Sequence, residues 1–275
     1  MVHVAITGAT GFVGSHVLES LLDYSQSEIR VTAMVRDPSS WTIQNDRLNV
    51  VRGDIHQFSA DAYDQLGRPD VLMHLAWAGL PNYEKNFHFE HELPLQYAFL
   101  KNVILGGLPK LLVSGTCFEY GSLNGPLSVD MSCAEPSTAY AFAKKTLHQQ
   151  LLFLQKEHPF VLKWARLFYM YGDRQRHGSL YSSLKKAAEN GDSFFSMSSG
   201  EQIRDYLSVQ EVASQLTRYA LSEDIACVKN VCSGNPISIR KIAQQWCLQN
   251  AWEIDLRLGD KLMPSHEPLA FWGVQ

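Results

Sequence analysis

The sequence of 275 residues lacks several features that would assign it to a class at once. It has no apolar run long enough to cross a bilayer, so we expect no membrane partner. Its net charge of −4 gives no reason to expect binding to nucleic acid. The first predicted strand begins at the amino terminus and leaves no room for a signal peptide, which predicts a cytoplasmic protein.

Cysteine is scarce as well. The five cysteines show no Cys-x-x-Cys spacing, and an odd number without a secretion signal predicts reduced thiols. His88 and His91 lie three residues apart on a predicted helix, but a metal site needs more ligands than these two. We therefore predict no metal. The cysteines are Cys117, Cys133, Cys227, Cys232 and Cys247.

A glycine-rich turn follows the first apolar run. After Gly14 the apolar residues recur with the period of a helix, so the glycines lie between a strand and a helix. The free N–H groups and the dipole of a helix amino terminus favour a phosphate there. Gly8 allows a tight turn, Gly11 allows close approach of a pyrophosphate, and Gly14 allows helix packing. A turn without a ligand is the alternative. The predicted cofactor-binding residues here are Gly8, Thr10, Gly11, Phe12, Val13 and Gly14.

Tyr140 and Lys144 form a second candidate motif, on a predicted helix. Their i, i+4 spacing puts the phenol and the ammonium on one face. A nearby ammonium lowers the pKa of a tyrosine, so we expect Tyr140 to donate or accept a proton. Thr116 follows a predicted buried strand and could hydrogen-bond a reacting carbonyl together with Tyr140. Taken alone, the pair could also be an ordinary feature of a helix surface.

Strands and helices alternate up to about residue 166, which predicts an α/β fold with a doubly wound parallel sheet of the Rossmann type. We predict a dinucleotide-binding domain over 1–166 and a smaller carboxyl-terminal substrate-binding lobe over 167–275, from which elements can return to the first domain. The predicted strands are 2–7, 30–35, 48–53, 71–75, 110–114 and 160–166. The predicted helices are 12–24, 59–66, 85–106, 138–157, 211–221 and 238–249, and 193–202 is predicted as hairpin or loop.

Together these motifs resemble the extended short-chain dehydrogenase/reductases, in the NAD-dependent epimerase/dehydratase family and its nucleotide-sugar 4-ketoreductase branch. The glycine turn, Thr116, Tyr140 and Lys144 follow one another in the family's order, and the resemblance extends to about residue 245. Further segments that resemble family signatures are Arg52–Ile55, His74–Ala76, Thr116–Gly121, Arg166–Gly172 and Arg204–Val209.

The resemblance implies roles for single residues. Thr116, Tyr140 and Lys144 would be catalytic, and Tyr140 and Lys144 would also contact the cofactor. Arg204 would hold the substrate diphosphate. Four further residues would surround the adenine and ribose, and two tyrosines together with Thr116 would contact the sugar. These are Asp54, Ile55, Leu75 and Ala76 for the cofactor, and Tyr83 and Tyr169 for the substrate.

The end of the second predicted strand indicates which cofactor is used. An acidic residue there binds a ribose 2′-hydroxyl and favours NAD. Val35 takes the acidic position and Arg36 follows it, and a guanidinium suits a 2′-phosphate. The sequence therefore favours NADP(H). NAD(H) is the alternative, because Asp37 would reach the ribose if the register moved by one residue.

Departures from the family patterns discriminate among reactions. Related dehydratases carry Asp-Glu directly after the catalytic threonine, where this chain has Cys117 and Phe118. Bifunctional epimerase-reductases carry a cysteine at the position of Phe118. The 4-epimerases carry an asparagine where Tyr169 stands, and 4-ketoreductases often have an aromatic residue there.

The residues that remain suit one hydride transfer. The resemblance therefore implies reduction of a 4-keto-6-deoxy nucleotide sugar, linked to dTDP, CDP or GDP, for bacterial surface polysaccharides such as lipopolysaccharide. A nucleotide-sugar 4-epimerase with tightly bound NAD is one alternative, and a non-catalytic dinucleotide sensor is another. We also expect a homodimer that forms through the helices near 85–106 and 138–157.

Overall fold

The computed structural model describes residues 1–25, 27–223, 228–262 and 268–275. Cys227 lies outside the described residues. The strands are β1 (Val2–Thr7), β2 (Ile29–Val35), β3 (Leu48–Arg52), β4 (Val71–His74), β5 (Lys110–Thr116), β6 (Gly125–Leu127), β7 (Val161–Leu167), β8 (Tyr169–Tyr171), β9 (Phe194–Met197), β10 (Ile203–Ser208), β11 (Val228–Val231), β12 (Pro236–Ser238), β13 (Asp255–Leu258) and β14 (Phe271–Gly273). The helices are α1 (Phe12–Leu22), α2 (Ala62–Gln65), α3 (Leu93–Leu105), α4 (Ala139–Glu157), α5 (Leu180–Glu189), α6 (Val209–Leu221) and α7 (Ile239–Gln249).

Seven strands form one parallel sheet in the order β11-β7-β5-β4-β1-β2-β3. The central strands β1, β4 and β5 are almost wholly buried, because helices cover both faces of the sheet. The strand order reverses at β1, which has β2 on one side and β4 on the other. This confirms the predicted doubly wound fold and puts a ligand crevice at the carboxyl ends of β1 and β4.

Two apolar cores lie on opposite faces of this sheet. Helices α1 and α6 pack on one face, and α3 and α4 pack on the other. Since α6 and β11 come after residue 167, they return to the large sheet from the second part of the chain. The predicted division at residue 166 stays a prediction. Buried contributors are Val17, Leu21, Val212 and Leu216 in the first core and Phe99, Val103, Leu147 and Leu151 in the second.

The remaining strands of the second part, together with β6 of the first part, form three small sheets. Strands β8, β10 and β12 form one, β9 pairs with β13, and β6 pairs with β14. An aromatic core around Tyr181 and the fully buried Trp246 joins α5 and α7 to these strands. No helix within the described ranges is long and apolar enough to span a bilayer.

Three sequence predictions of elements were wrong in detail. The helix predicted over 59–66 is the short α2, and the one predicted over 85–106 is a π-helical turn, His88–Glu92, followed by α3. The predicted hairpin or loop at 193–197 is strand β9, which pairs in parallel with β13. A distant partner supplies the hydrogen bonds of β9, so local periodicity could not reveal that strand.

Candidate active site

The glycine turn between β1 and α1 is packed closely against the protein's own backbone. Gly8 has φ +76°, and a Cβ there would lie 2.7 Å from the backbone nitrogen of Ala76. A Cβ on Gly14 would collide with the Gly8 carbonyl. Gly11 caps α1 without a side-chain hydrogen bond, so backbone amides and the helix dipole remain to meet an anion. Thr10 is exposed, and Phe12 and Val13 are half-buried at the start of the helix.

The predicted adenine and ribose residues follow β3 and β4 at the same edge of the sheet. The side chain of Asp54 accepts the His56 N–H at 2.9 Å, and Ile55 is buried beside it. Leu75 donates its N–H to the Thr7 carbonyl at 3.2 Å and thereby holds the end of β4 against β1. Ala76 comes next and faces Gly8. The turn and these residues therefore lie at the same edge of the sheet, where a doubly wound fold binds its ligand.

The end of β2 exposes the Arg36 side chain. Asp37 caps the following 3-10 turn, where its carboxylate accepts the Ser39 N–H at 3.0 Å and the Ser39 hydroxyl at 2.6 Å. These hydrogen bonds lower the pKa of Asp37. The Asp37 carboxylate is therefore engaged within its own turn, while Arg36 extends from the strand end into solvent.

Helix α4 and strand β5 bring Tyr140, Lys144 and Thr116 to the carboxyl edge of the sheet. Tyr140 lies in the first turn of α4, and its N–H donates to the Tyr83 carbonyl at 3.0 Å. Lys144 is one turn later, and its ammonium donates to the Ser114 carbonyl at 2.8 Å. Thr116 ends β5, and its hydroxyl oxygen accepts the Phe118 N–H at 3.3 Å. All three side chains are buried.

The ionisation of this pair differs from the sequence expectation. Burial raises the pKa of Tyr140, and the neighbouring Tyr83, Glu119 and Cys117 raise it further. Burial also lowers the pKa of Lys144 to about 7. The prediction that Lys144 lowers the pKa of Tyr140 is therefore wrong for this structure. Its ammonium lies 5.9 Å from the centre of the tyrosine ring, and burial outweighs its effect on the phenol.

Trp77 and His88 were not predicted to belong to the site. Trp77 lies in the loop after β4, and the Lys144 ammonium lies 4.0 Å from the centre of its ring. Trp77 also meets the Tyr140 ring edge-on at 5.8 Å. The buried His88 ring lies 5.3 Å from the Tyr140 ring. No sequence pattern could have indicated these contacts, because they join a loop, a π-helical turn and α4.

Glu119 is a third residue that the sequence analysis did not assign to the site. Its fully buried carboxylate accepts the Thr116 N–H at 2.8 Å, the Trp164 indole N–H at 3.0 Å and the Arg166 Nε–H at 3.0 Å. A Cβ on Gly115 would lie 2.5 Å from this carboxylate, so glycine there admits the network. The network fixes the backbone that carries the Thr116 hydroxyl.

The predicted substrate residues lie on the other side of the site. The Tyr83 ring contacts both Phe118 and Tyr140, with ring centres 5.6 Å apart in each pair. The ring of Tyr169 packs against Phe118 at 6.2 Å. These aromatic rings form one wall from Tyr140 to the substrate lobe.

No group of three or more His, Cys, Asp or Glu side chains in the part of the chain that the structure describes could hold a metal ion.

Arg204 lies at the far end of this wall and is 1% exposed. Its guanidinium donates to the carbonyls of Ile203 and Leu269, at 2.9 and 3.2 Å. It also lies 4.5 Å from the centre of the Phe271 ring and 5.8 Å from that of Tyr169. The diphosphate role of Arg204 stays a prediction, since Phe271 covers the guanidinium.

The Rossmann crevice with a tyrosine and a lysine on α4 defines the class as an extended short-chain dehydrogenase/reductase. The chain belongs to the NAD dependent epimerase/dehydratase family, whose model matches residues 4–227. This confirms the family predicted from the motifs.

Two relatives are similar along most of their length. A dTDP-6-deoxy-L-talose 4-dehydrogenase (NAD(+)) of Aggregatibacter actinomycetemcomitans is 26% identical over 275 residues, which cover 99% of this chain and 100% of the relative. An uncharacterized UDP-glucose epimerase of Bacillus subtilis is 25% identical over 232 residues, 78% of this chain and 71% of that protein.

Solved structures share the fold. The UDP-N-acetylglucosamine 4-epimerase of Methanobrevibacter ruminantium has a TM-score of 0.82 at 21% identity, over 99% of this chain and 89% of that one. The UDP-glucuronic acid 4-epimerase of Bacillus cereus, solved with UDP-glucuronic acid and NAD, has a TM-score of 0.81 at 20% identity, over 99% and 90% of the two chains.

Proposed function

We propose that this protein is a nucleotide-sugar 4-ketoreductase, which reduces the 4-keto group of a 6-deoxyhexose nucleotide. The observation that carries the proposal is the pair that follows Thr116. Burial raises the pKa of the Cys117 thiol to about 12, and Phe118 has no ionisable group. Neither residue can remove or supply a proton at neutral pH as the carboxyl pair of a dehydratase would. The site then retains Thr116, Tyr140 and Lys144 for one reversible step at C4.

Each residue of the site would have a separate role in the proposed reaction. A nicotinamide bound at the glycine turn would supply the hydride to C4. Tyr140 stays protonated at neutral pH because burial raises its pKa, so it donates the proton that the C4 oxygen acquires. Thr116 accepts a hydrogen bond from Phe118, so its hydroxyl proton can point toward the same oxygen. Lys144 would hold the nicotinamide ribose, and Tyr83 and Tyr169 would enclose the sugar. Arg204 would meet the diphosphate only if Phe271, which covers its guanidinium, moved aside.

Arg36 supports NADP(H) as the preferred cofactor, because an exposed guanidinium at the end of β2 can pair with a 2′-phosphate. The name of the talose dehydrogenase carries NAD(+). NAD(H) is thus the competing choice, and Asp37, whose Oδ1 caps the following turn, is its candidate ribose ligand.

The talose dehydrogenase also supports a 4-ketoreductase, because its name describes oxidation at C4 of a 6-deoxyhexose linked to dTDP. The second candidate is a 4-epimerase that oxidises and re-reduces one carbon. The structural neighbours that are 4-epimerases of UDP-sugars favour it.

The deciding experiment offers the purified protein a panel of dTDP-, CDP-, GDP- and UDP-linked 4-keto-6-deoxy sugars with deuterated reduced cofactor. We expect stoichiometric oxidation of the cofactor and deuterium at C4 alone. In a separate incubation with unlabelled cofactor in D₂O, deuterium at C3 or C5 would indicate a coupled epimerisation. In a third incubation, with 4-hydroxy nucleotide sugars, interconversion of the C4 epimers without consumption of added cofactor would instead establish the epimerase.

A further inference from the structure

We propose that Trp77 is a positioning residue, whose indole face holds the Lys144 ammonium beside Tyr140. The inference rests on the proposed function for the role of Lys144. Trp77 stands in the loop after β4, next to the predicted cofactor residue Ala76. No motif assigns it a role, yet its ring contacts both members of the Tyr140 and Lys144 pair.

The ammonium of Lys144 is held from two directions. It donates to the Ser114 carbonyl at 2.8 Å, and the Trp77 ring centre lies 4.0 Å away. Lys144 is 1% exposed, so water contributes little to its solvation. A desolvated ammonium over an indole face is strongly attracted by the negative face of the ring. The ring therefore replaces part of the lost water and sets the direction of the side chain.

The Trp77 ring is itself fixed. Its indole N–H donates to His88 Nδ1 at 3.1 Å, and the planes of the two rings lie within 28° of each other. His88 is fully buried, and its Nε2 lies 3.0 Å from the Asn82 carbonyl. This assigns the tautomer: Nε2 carries the proton for Asn82, and Nδ1 accepts from Trp77.

The backbone on both sides of Trp77 is also held. The Ala76 carbonyl accepts from the Gln96 side chain at 3.1 Å, and the Ala78 N–H donates to Glu92 at 2.9 Å. Gln96 and Glu92 are fully buried and hydrogen-bonded to each other at 2.6 Å. These hydrogen bonds fix the backbone of the loop and thereby the position of the Trp77 indole, as a positioning role requires.

The charge of Lys144 depends on this arrangement. The titratable groups near it are Tyr140 on its own helix, His74 at the end of β4, Glu119 after β5 and Glu92 on the π-helical turn. Burial lowers its pKa to about 7, and the two glutamates oppose that shift. The Trp77 face favours the charged form as well, so its removal lowers the pKa further and the ammonium is lost at a lower pH.

The test compares wild type with Trp77→Leu, Trp77→Phe and a matched control, Trp252→Leu. Trp252 is also half-buried, but it packs on Tyr181 in the substrate lobe. For each protein we would measure kcat and KM against pH, and the dissociation constant of the reduced dinucleotide by its own fluorescence. Circular dichroism would report folding. If the leucine variant does not fold, Trp77→Met replaces it, since methionine fills the space without a ring face.

We expect Trp77→Leu to lose on the order of tenfold in kcat/KM at pH 8 and to move the alkaline limb down by about one pH unit. Its dinucleotide dissociation constant should rise about fivefold, while Trp77→Phe and Trp252→Leu stay within about threefold of wild type. A folded leucine variant with an unchanged alkaline limb and unchanged dinucleotide binding would overturn the proposal. An inactive wild type would overturn the proposed function instead, and dinucleotide binding would still decide the role of Trp77.

Discussion

Tyr140 has the geometry of a proton donor rather than of a preformed phenolate. Its side chain is buried at the first turn of α4, and burial raises its pKa. A protonated phenol suits the reductive direction, in which the substrate oxygen gains a proton. The opposite direction needs the phenolate, which the buried environment disfavours.

Replacement of Tyr140 by phenylalanine tests this assignment. The ring and its contacts with Trp77 and His88 remain, so dinucleotide binding should change by less than about twofold while kcat falls at least about a hundredfold. Steady-state kinetics and fluorescence titration of the same preparation measure both quantities. Turnover close to that of wild type would exclude Tyr140 as the donor.

Arg36 is the residue that we propose decides between the two dinucleotides. We expect NADPH to exceed NADH in kcat/KM and Arg36→Ala to remove most of the difference, on the order of tenfold to a hundredfold for a charge-assisted contact. The kinetic constants with each cofactor measure the preference. Asp37→Asn is the companion variant: a wild type that prefers NADH and loses that preference in Asp37→Asn would assign the choice to Asp37.

From the sequence, single site residues could be predicted where they belong to a short local motif. The glycine turn and the Tyr140 to Lys144 spacing are local, so their positions follow from the order of residues alone. Trp77 and Glu119 were missed because their roles arise from partners that the fold brings from other parts of the chain. The ionisation of Tyr140 was misjudged for the same reason, since burial cannot be read from one helix.

At the scale of elements, long amphipathic helices were predicted well. Helices α1, α4, α6 and α7 lie where their periodicity indicates, and several carry capping side chains, such as Thr138 before α4 and Ser208 before α6. The six predicted strands of the large sheet are apolar runs between turns. Short strands such as β6 and β14 escaped prediction because their hydrogen bonds come from each other across most of the chain.

At the scale of the whole molecule, two exposed phenylalanines on one face of α4 support the proposed homodimer. Phe142 and Phe153 are 47% and 64% exposed, and their spacing of three helical turns puts them on one face. Phe142 also meets Phe89 of the neighbouring π-helical turn at 5.8 Å. A second copy of the chain can bury these two rings against the same two rings of its own α4.

We therefore expect analytical ultracentrifugation to show a dimer for wild type and a monomer for Phe153→Glu, because a buried unpaired carboxylate opposes association. Leu248→Glu is the matched control, since Leu248 is 82% exposed on α7 and should leave the dimer intact. A wild type that sediments as a monomer at micromolar concentration would contradict the proposal.

The pairing of β14 with β6 has a consequence for the order in which the enzyme is completed during synthesis. The large sheet is complete once β11 has emerged from the ribosome. Phe271, which covers Arg204, belongs to a strand that is translated later still and docks beside Gly125. A nascent chain can therefore complete the strands of the large sheet before Phe271 is available to cover Arg204. The cover of Arg204 is thus among the last parts of the molecule to be synthesised.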